Sequence, residues 1–110
     1  MDWIEIGNLS DIPSRGARTV ETPRGQVAVF RTADDAVFAL INRCPHRGGP
    51  LSEGIVSGRL VACPLHNWVI DLESGAAVAP DEGCAERLSM RVRDGRLWMN
   101  LDRAKAASHG

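Results

Sequence analysis

The chain has 110 residues, the usual length of one domain, and its 13 basic and 14 acidic side chains leave a formal net charge of -1. Without a basic excess, the composition argues against binding to nucleic acid or to an anionic membrane surface. The longest apolar run, residues 36–41, is too short to span a bilayer, and no secretory signal is visible. We therefore expect a cytoplasmic globular protein with no membrane and no nucleic-acid partner.

Short alternating segments separated by turn residues predict strands along most of the chain. In chain order, we predict strands at residues 16–22, 26–31, 36–41, 59–62, 68–72, 88–93 and 96–101. The last two are joined by Asp94-Gly95, which predicts a two-residue hairpin because both residues tolerate positive φ. No segment predicts a convincing helix, and we expect residues 102–110 to be a frayed tail.

These elements predict an all-β protein, either a small sandwich or a small barrel, with about seven to ten strands. No repeat, low-complexity tract or linker divides the chain. We expect residues 1–101 to form a single domain.

Two short segments differ from the strand pattern because each pairs a cysteine with a histidine. The first contains Cys44 and His46 and the second Cys63 and His66, with 16 residues between the two motifs. Thiolate and imidazole ligands in two loops indicate a metal site. A zinc finger usually groups its two cysteines together and its two histidines together, whereas here each loop offers one of each. A Rieske [2Fe–2S] centre needs that division, because one iron takes two thiolates and the other two imidazoles.

The paired motifs resemble those of the Rieske family, and the resemblance extends from Trp3 to Leu101. It implies a Rieske-type fold in which a cluster-binding subdomain carries the two loops, at about residues 43–68. It also implies one [2Fe–2S] cluster per chain, with Cys44 and Cys63 on the inner iron and His46 and His66 on the outer iron. The alternative of another class is a zinc-stabilised interaction module.

Within the family, the chain is most similar to the small subunit of assimilatory NAD(P)H-dependent nitrite reductase. The stretches that carry this similarity are residues 44–56, 66–75 and 80–84. It implies an electron-transfer subunit, without a substrate site of its own, whose partner is a large flavin- and sirohaem-containing subunit that reduces nitrite to ammonia. The alternative is the ferredoxin component of an aromatic-ring dioxygenase, which serves a different redox partner.

Several other residues near the motifs leave alternatives open. We expect Cys84 to be a buried or partly buried free thiol rather than a ligand. Trp68 either shields the cluster from water or is an ordinary core residue, and Pro80 belongs either to a third loop over the cluster or to a generic turn. Arginines 43, 47 and 59 either steer docking of a partner or form a solvated rim.

Overall fold

A computed structural model describes residues 3–44, 49–64, 68–78 and 83–100. Within these ranges there is no α-helix, and ten strands form three antiparallel sheets. The strands are β1 (Trp3–Asn8), β2 (Gly16–Thr22), β3 (Gly25–Arg31), β4 (Val37–Ile41), β5 (Ile55–Ser57), β6 (Leu60–Ala62), β7 (Val69–Asp71), β8 (Arg87–Leu88), β9 (Met90–Arg93) and β10 (Arg96–Asn100). In the described part of the chain, no helix is long and apolar enough to cross a membrane. The all-β prediction is confirmed.

Sheet I has the strand order β1-β10-β9, sheet II the order β2-β3-β4-β8, and sheet III the order β5-β6-β7. Sheet II is central because its inner strand β3 is buried on both faces. Ala28 and Phe30 belong to a first core, whereas Val27 and Val29 belong to a second one. This division follows from the two-residue period of a strand, which sends alternate side chains to opposite faces.

The first core lies between sheets II and III. In sheet III, Val56 pairs with Val61 and Val61 pairs with Ile70, and these three buried side chains form one cross-strand row. The row packs in the same cluster as Phe30 and Leu40 of sheet II. Sheet III is therefore a small subdomain attached to the central sheet by apolar contact, and its strands lead directly into the second predicted metal-binding loop.

The predicted C-terminal hairpin is confirmed. Asp94 and Gly95 have φ values of 54° and 74°, as expected for a tight turn that matches the twist of the strands. Leu97 pairs with Val92 and Met99 pairs with Met90. Leu97 and Met99 are buried in the second core, between sheets I and II.

The prediction of one continuous strand at residues 88–93 is wrong. Leu88 pairs with Ala39 in sheet II, whereas Met90 pairs with Met99 in sheet I, so the chain changes sheets at Ser89. The prediction also omitted β1 and β5. The tail at 102–110 lies outside the described residues.

Candidate metal centre

Cys44 and Cys63 are brought together in the first core. Their exposed fractions are 2% and 0%, and both belong to the buried cluster that contains Leu51 and Val61. Cys44 follows β4 after two residues, and Cys63 follows directly after β6. Sheets II and III therefore each deliver one buried thiol to the first core.

Each cysteine begins a loop that closes on itself in the same way. The N–H of Cys44 donates to the carbonyl of Gly49 at 2.8 Å, and the N–H of Cys63 donates to the carbonyl of Trp68 at 2.6 Å. Both bonds join a residue to the one five positions ahead. The two loops are therefore matched at their bases, and the sequence inside each one contains a histidine.

The first loop is tied to sheet II through Asn42. The N–H of Asn42 donates to the carbonyl of Gln26 at 2.9 Å, and its side-chain amide donates to Gln26 Oε1 at 2.7 Å. Its Oδ1 accepts the N–H of Ser52 at 2.7 Å. Asn42 thus joins the two ends of the first loop to β3. No motif in the sequence identified this residue, because its role depends on partners 10 and 16 positions away.

A close approach of backbones fixes the second cysteine. A Cβ atom on Gly54 would overlap the carbonyl oxygen of Ala62 and lie 2.9 Å from Val61 Cγ2. Ala62 immediately precedes Cys63. Glycine at position 54 therefore lets the segment after the first loop pack directly against the strand that enters the second loop.

A third segment pairs with the edge of sheet III. The N–H of Val78 donates to the carbonyl of Val69, and the N–H of Ala77 donates to the carbonyl of Gly83, each at 2.8 Å. Pro80, which we placed in a third loop, lies outside the described residues. Cys84 is exposed, so the prediction of a buried thiol is wrong. Its neighbour Ala85 is the residue that points into the first core, which leaves Cys84 on the outer side.

The four predicted ligands are only partly described. Cys44 and Cys63 lie in the described ranges, whereas His46 and His66 lie outside them. Within the described ranges, no group of three or more potential ligands among histidine, cysteine, aspartate and glutamate is present.

Most of the chain matches one known protein family. A model of the Rieske [2Fe-2S] domain family matches residues 2–90. The chain belongs to the Rieske family. Its cofactor is accordingly a Rieske-type [2Fe–2S] cluster, and it is an electron-transfer protein. The zinc-stabilised interaction module is not supported.

The relatives of this chain include dioxygenase ferredoxins and nitrite reductase small subunits. The anthranilate 1,2-dioxygenase ferredoxin subunit of Burkholderia cepacia is 31% identical over 101 residues, covering 91% of this chain and 93% of that protein. A structure assigned as the NADH-dependent nitrite reductase small subunit of Mycobacterium tuberculosis is 25% identical, with a TM-score of 0.82, covering 93% of this chain and 96% of that one. The chain also matches methylxanthine N1-demethylase NdmA of Pseudomonas putida at 31% identity, but spans only 27% of that larger protein.

The described residues fit a Rieske cluster. Its inner iron takes two thiolates, and the structure supplies two buried thiols, one from each of two loops. Trp68 is half-buried and packs against the same core, as an ordinary core residue would. When bound, the cluster takes up and releases one electron at a time. Cys44 and Cys63 would supply buried thiolate ligands, and the hydrogen-bonded loop bases would hold them in place.

Arg59 is exposed and has an acidic partner on each side. Its guanidinium lies 3.2 Å from Asp34 and 3.6 Å from Glu73, and its Cζ lies 5.5 Å from the centre of the Phe38 ring. The Thr32 hydroxyl and the Arg59 guanidinium both donate to the Asp34 carboxylate, which lowers the pKa of Asp34 below its usual value. These contacts join sheet III to the turn before β4. Arg43 is exposed, and residue 47 lies outside the described ranges.

We expect Gly54→Ala to reduce cluster content. The added methyl group would force Ala62 and the adjacent Cys63 to shift, at a cost of about 1–3 kcal/mol. Gly58→Ala is the matched control, because a Cβ there meets nothing within 4 Å and only its φ of 60° costs energy, about 1 kcal/mol. Iron per chain and visible absorbance measure the effect. Equal iron content in the two variants would contradict the role assigned to Gly54.

We expect Asn42→Ala to speed the loss of the cluster to an iron chelator. The variant leaves the partly buried N–H of Ser52 without its acceptor, which costs about 1 kcal/mol. Asn42→Asp is the control, because it keeps the oxygen that accepts the N–H of Ser52 and loses only the side-chain donor to Gln26 Oε1. The rate of bleaching of the visible absorbance should rise more in the alanine variant than in the aspartate variant. Equal rates would show that Ser52 does not depend on this acceptor.

Proposed function

We propose that Cys44 and Cys63 bind the inner iron of the cluster and that His46 and His66 bind the outer iron. The observation that supports this assignment best is the matched closure of the two loops, each by a backbone hydrogen bond over five positions. Each closed loop starts with a buried thiol and includes one histidine in its sequence. Both kinds of ligand that a Rieske centre needs are therefore available twice.

We also propose that the chain is the small subunit of an NAD(P)H-dependent nitrite reductase of the cytoplasm, acting in nitrate assimilation. The support is the sequence similarity over residues 44–56, 66–75 and 80–84, together with the matching length and fold of the Mycobacterium tuberculosis chain. In this role the protein carries electrons within a complex, and the large subunit supplies the flavin, the sirohaem and the nitrite site.

A ferredoxin that serves an aromatic-ring dioxygenase is the second candidate. Its support is the similarity to the anthranilate 1,2-dioxygenase ferredoxin subunit, which extends over nearly the full length of both chains. Both candidates need the same centre, and they differ only in the protein that receives the electron. A test of the ligands and a test of the partner are therefore separate experiments.

Cys63→Ser should prevent assembly of the cluster, because a serine hydroxyl is a poor replacement for a buried thiolate ligand. Cys84→Ser is the matched control, since Cys84 is exposed and should contribute no ligand. Electron paramagnetic resonance of the dithionite-reduced proteins measures the outcome. We expect a rhombic signal from the wild type and from Cys84→Ser, and none from Cys63→Ser. A wild-type signal in Cys63→Ser would overturn the ligand assignment.

The partner can be tested by reconstitution. The purified holoprotein should restore NAD(P)H-dependent conversion of nitrite to ammonia when it is added to the large flavin- and sirohaem-containing subunit from the same genome. Cys63→Ser protein, which lacks the cluster, should not restore it. Failure with that subunit, combined with support of substrate oxidation by an aromatic-ring dioxygenase, would favour the second candidate.

A further inference from the structure

The outer face of sheet I carries side chains that the cluster does not use. Leu97 and Met99 point into the second core, so Trp98 between them points outward. On either side of Trp98 in the sheet lie Glu5 of β1 and Arg91 of β9. The same alternation places Trp3, Arg93 and Arg96 on this outer face.

A groove of about 190 Å³ opens on this face and is lined by Trp3, Trp98, Arg91 and Arg93. We call these four residues the indole–guanidinium face. The Cζ atom of Arg91 lies 4.3 Å from the centre of the Trp3 ring, a cation–π contact that holds the guanidinium over the indole. Both tryptophans are half-buried and both arginines are exposed. The face therefore combines rigid aromatic walls with accessible positive charge.

Among the described residues, the charges on this side of the sheet do not cancel. Glu5 pairs with Arg96, its Oε2 lying 3.7 Å from Arg96 Nη1. No carboxylate in the described part of the chain pairs with Arg91 or Arg93. A local positive excess thus occurs on a protein whose formal net charge is -1. Stabilisation of the sheet by cross-strand pairs accounts for the tryptophans, but it does not require two arginines that no described carboxylate contacts.

We propose that the indole–guanidinium face docks an acidic segment of a partner protein. An apolar side chain of that segment enters the groove between the two indoles, and neighbouring carboxylates pair with Arg91 and Arg93. Tryptophan and arginine are enriched among the residues that dominate binding energy at interfaces. Complementary charge selects an acidic segment over a basic one.

The position of this face indicates what the docking achieves. Sheet I packs on one side of sheet II through the second core, whereas Cys44 and Cys63 lie in the first core on the other side. A partner bound at the indole–guanidinium face would leave the cluster loops uncovered. The face would therefore act as an anchor that keeps the electron carrier on its complex, separate from the surface through which electrons pass.

A peptide probe tests this proposal on the oxidised holoprotein labelled with 5-fluorotryptophan. The chain has three tryptophans, Trp3, Trp68 and Trp98, so fluorine NMR gives one signal from each side chain. The probe is a synthetic octapeptide with a central leucine between glutamates and aspartates. We expect saturable shifts of the Trp3 and Trp98 signals and no shift of the Trp68 signal. A peptide with lysines in place of the acidic residues should shift none.

Two charge reversals provide the matched comparison. Arg93→Glu should raise the dissociation constant of the acidic peptide by about tenfold or more. Arg15→Glu makes the same charge reversal at an exposed arginine away from the face. It should change the dissociation constant of the acidic peptide by less than about twofold. Equal weakening by both variants, or no saturable shift in the wild type, would overturn the proposal. Sedimentation as a dimer that Arg93→Glu dissociates would assign the face to a second copy instead.

Discussion

A backbone hydrogen bond closes each cysteine loop over the same span, from the N–H of Cys44 to the carbonyl of Gly49 and from the N–H of Cys63 to the carbonyl of Trp68. The proposed centre depends on these two bonds, because each one fixes the backbone at the buried cysteine that begins the loop. The base of the first loop is held by side-chain hydrogen bonds, whereas the base of the second is held by close packing of backbones. Asn42 fixes the first through side-chain hydrogen bonds to distant backbone and side chain, and Gly54 fixes the second by allowing close packing against Ala62. Two loops with one chemical task are thus supported by unrelated local interactions.

Much of this architecture could be predicted from local sequence patterns. Alternation of apolar and polar residues predicted five strands to within one residue at each end, namely β2, β3, β4, β6 and β7. The dipeptide Asp94-Gly95 located the hairpin, because the positive φ values of the turn depend only on these two adjacent residues. The spacing of the cysteines and histidines was equally informative, because the division of ligands between two loops is specific to one class of iron–sulfur centre. These features share one property: the signal and the structure it predicts lie in the same short stretch of chain.

The features that could not be predicted depend on contacts between distant residues. Residues 88–93 alternate like a single strand, but only the partners Ala39 and Met99 reveal that the strand is divided between two sheets. β5 is three residues long and lies between Gly54 and Gly58, so it carries almost no periodic signal. The exposure of Cys84 is set by its bridge to Ala76 across the sheet edge. Neither Asn42 nor Gly54 belongs to a motif. The role of Asn42 depends on hydrogen bonds to Gln26 and Ser52, and the role of Gly54 depends on its close approach to the carbonyl oxygen of Ala62.

The division of the molecule by sheet II has a consequence for how such a protein can serve a complex. Because β3 is buried on both faces, changes on the outer side of sheet I are separated from the thiols by two layers of apolar packing. A substitution such as Arg93→Glu can therefore alter attachment to a partner without disturbing the environment of the cluster, since the interior of sheet II lies between the two sites. An arginine such as Arg59 cannot be changed so freely, because its contacts with Asp34, Glu73 and Phe38 join sheet III to the central sheet. Attachment through the proposed docking face and the environment of the thiols can therefore be changed independently of each other.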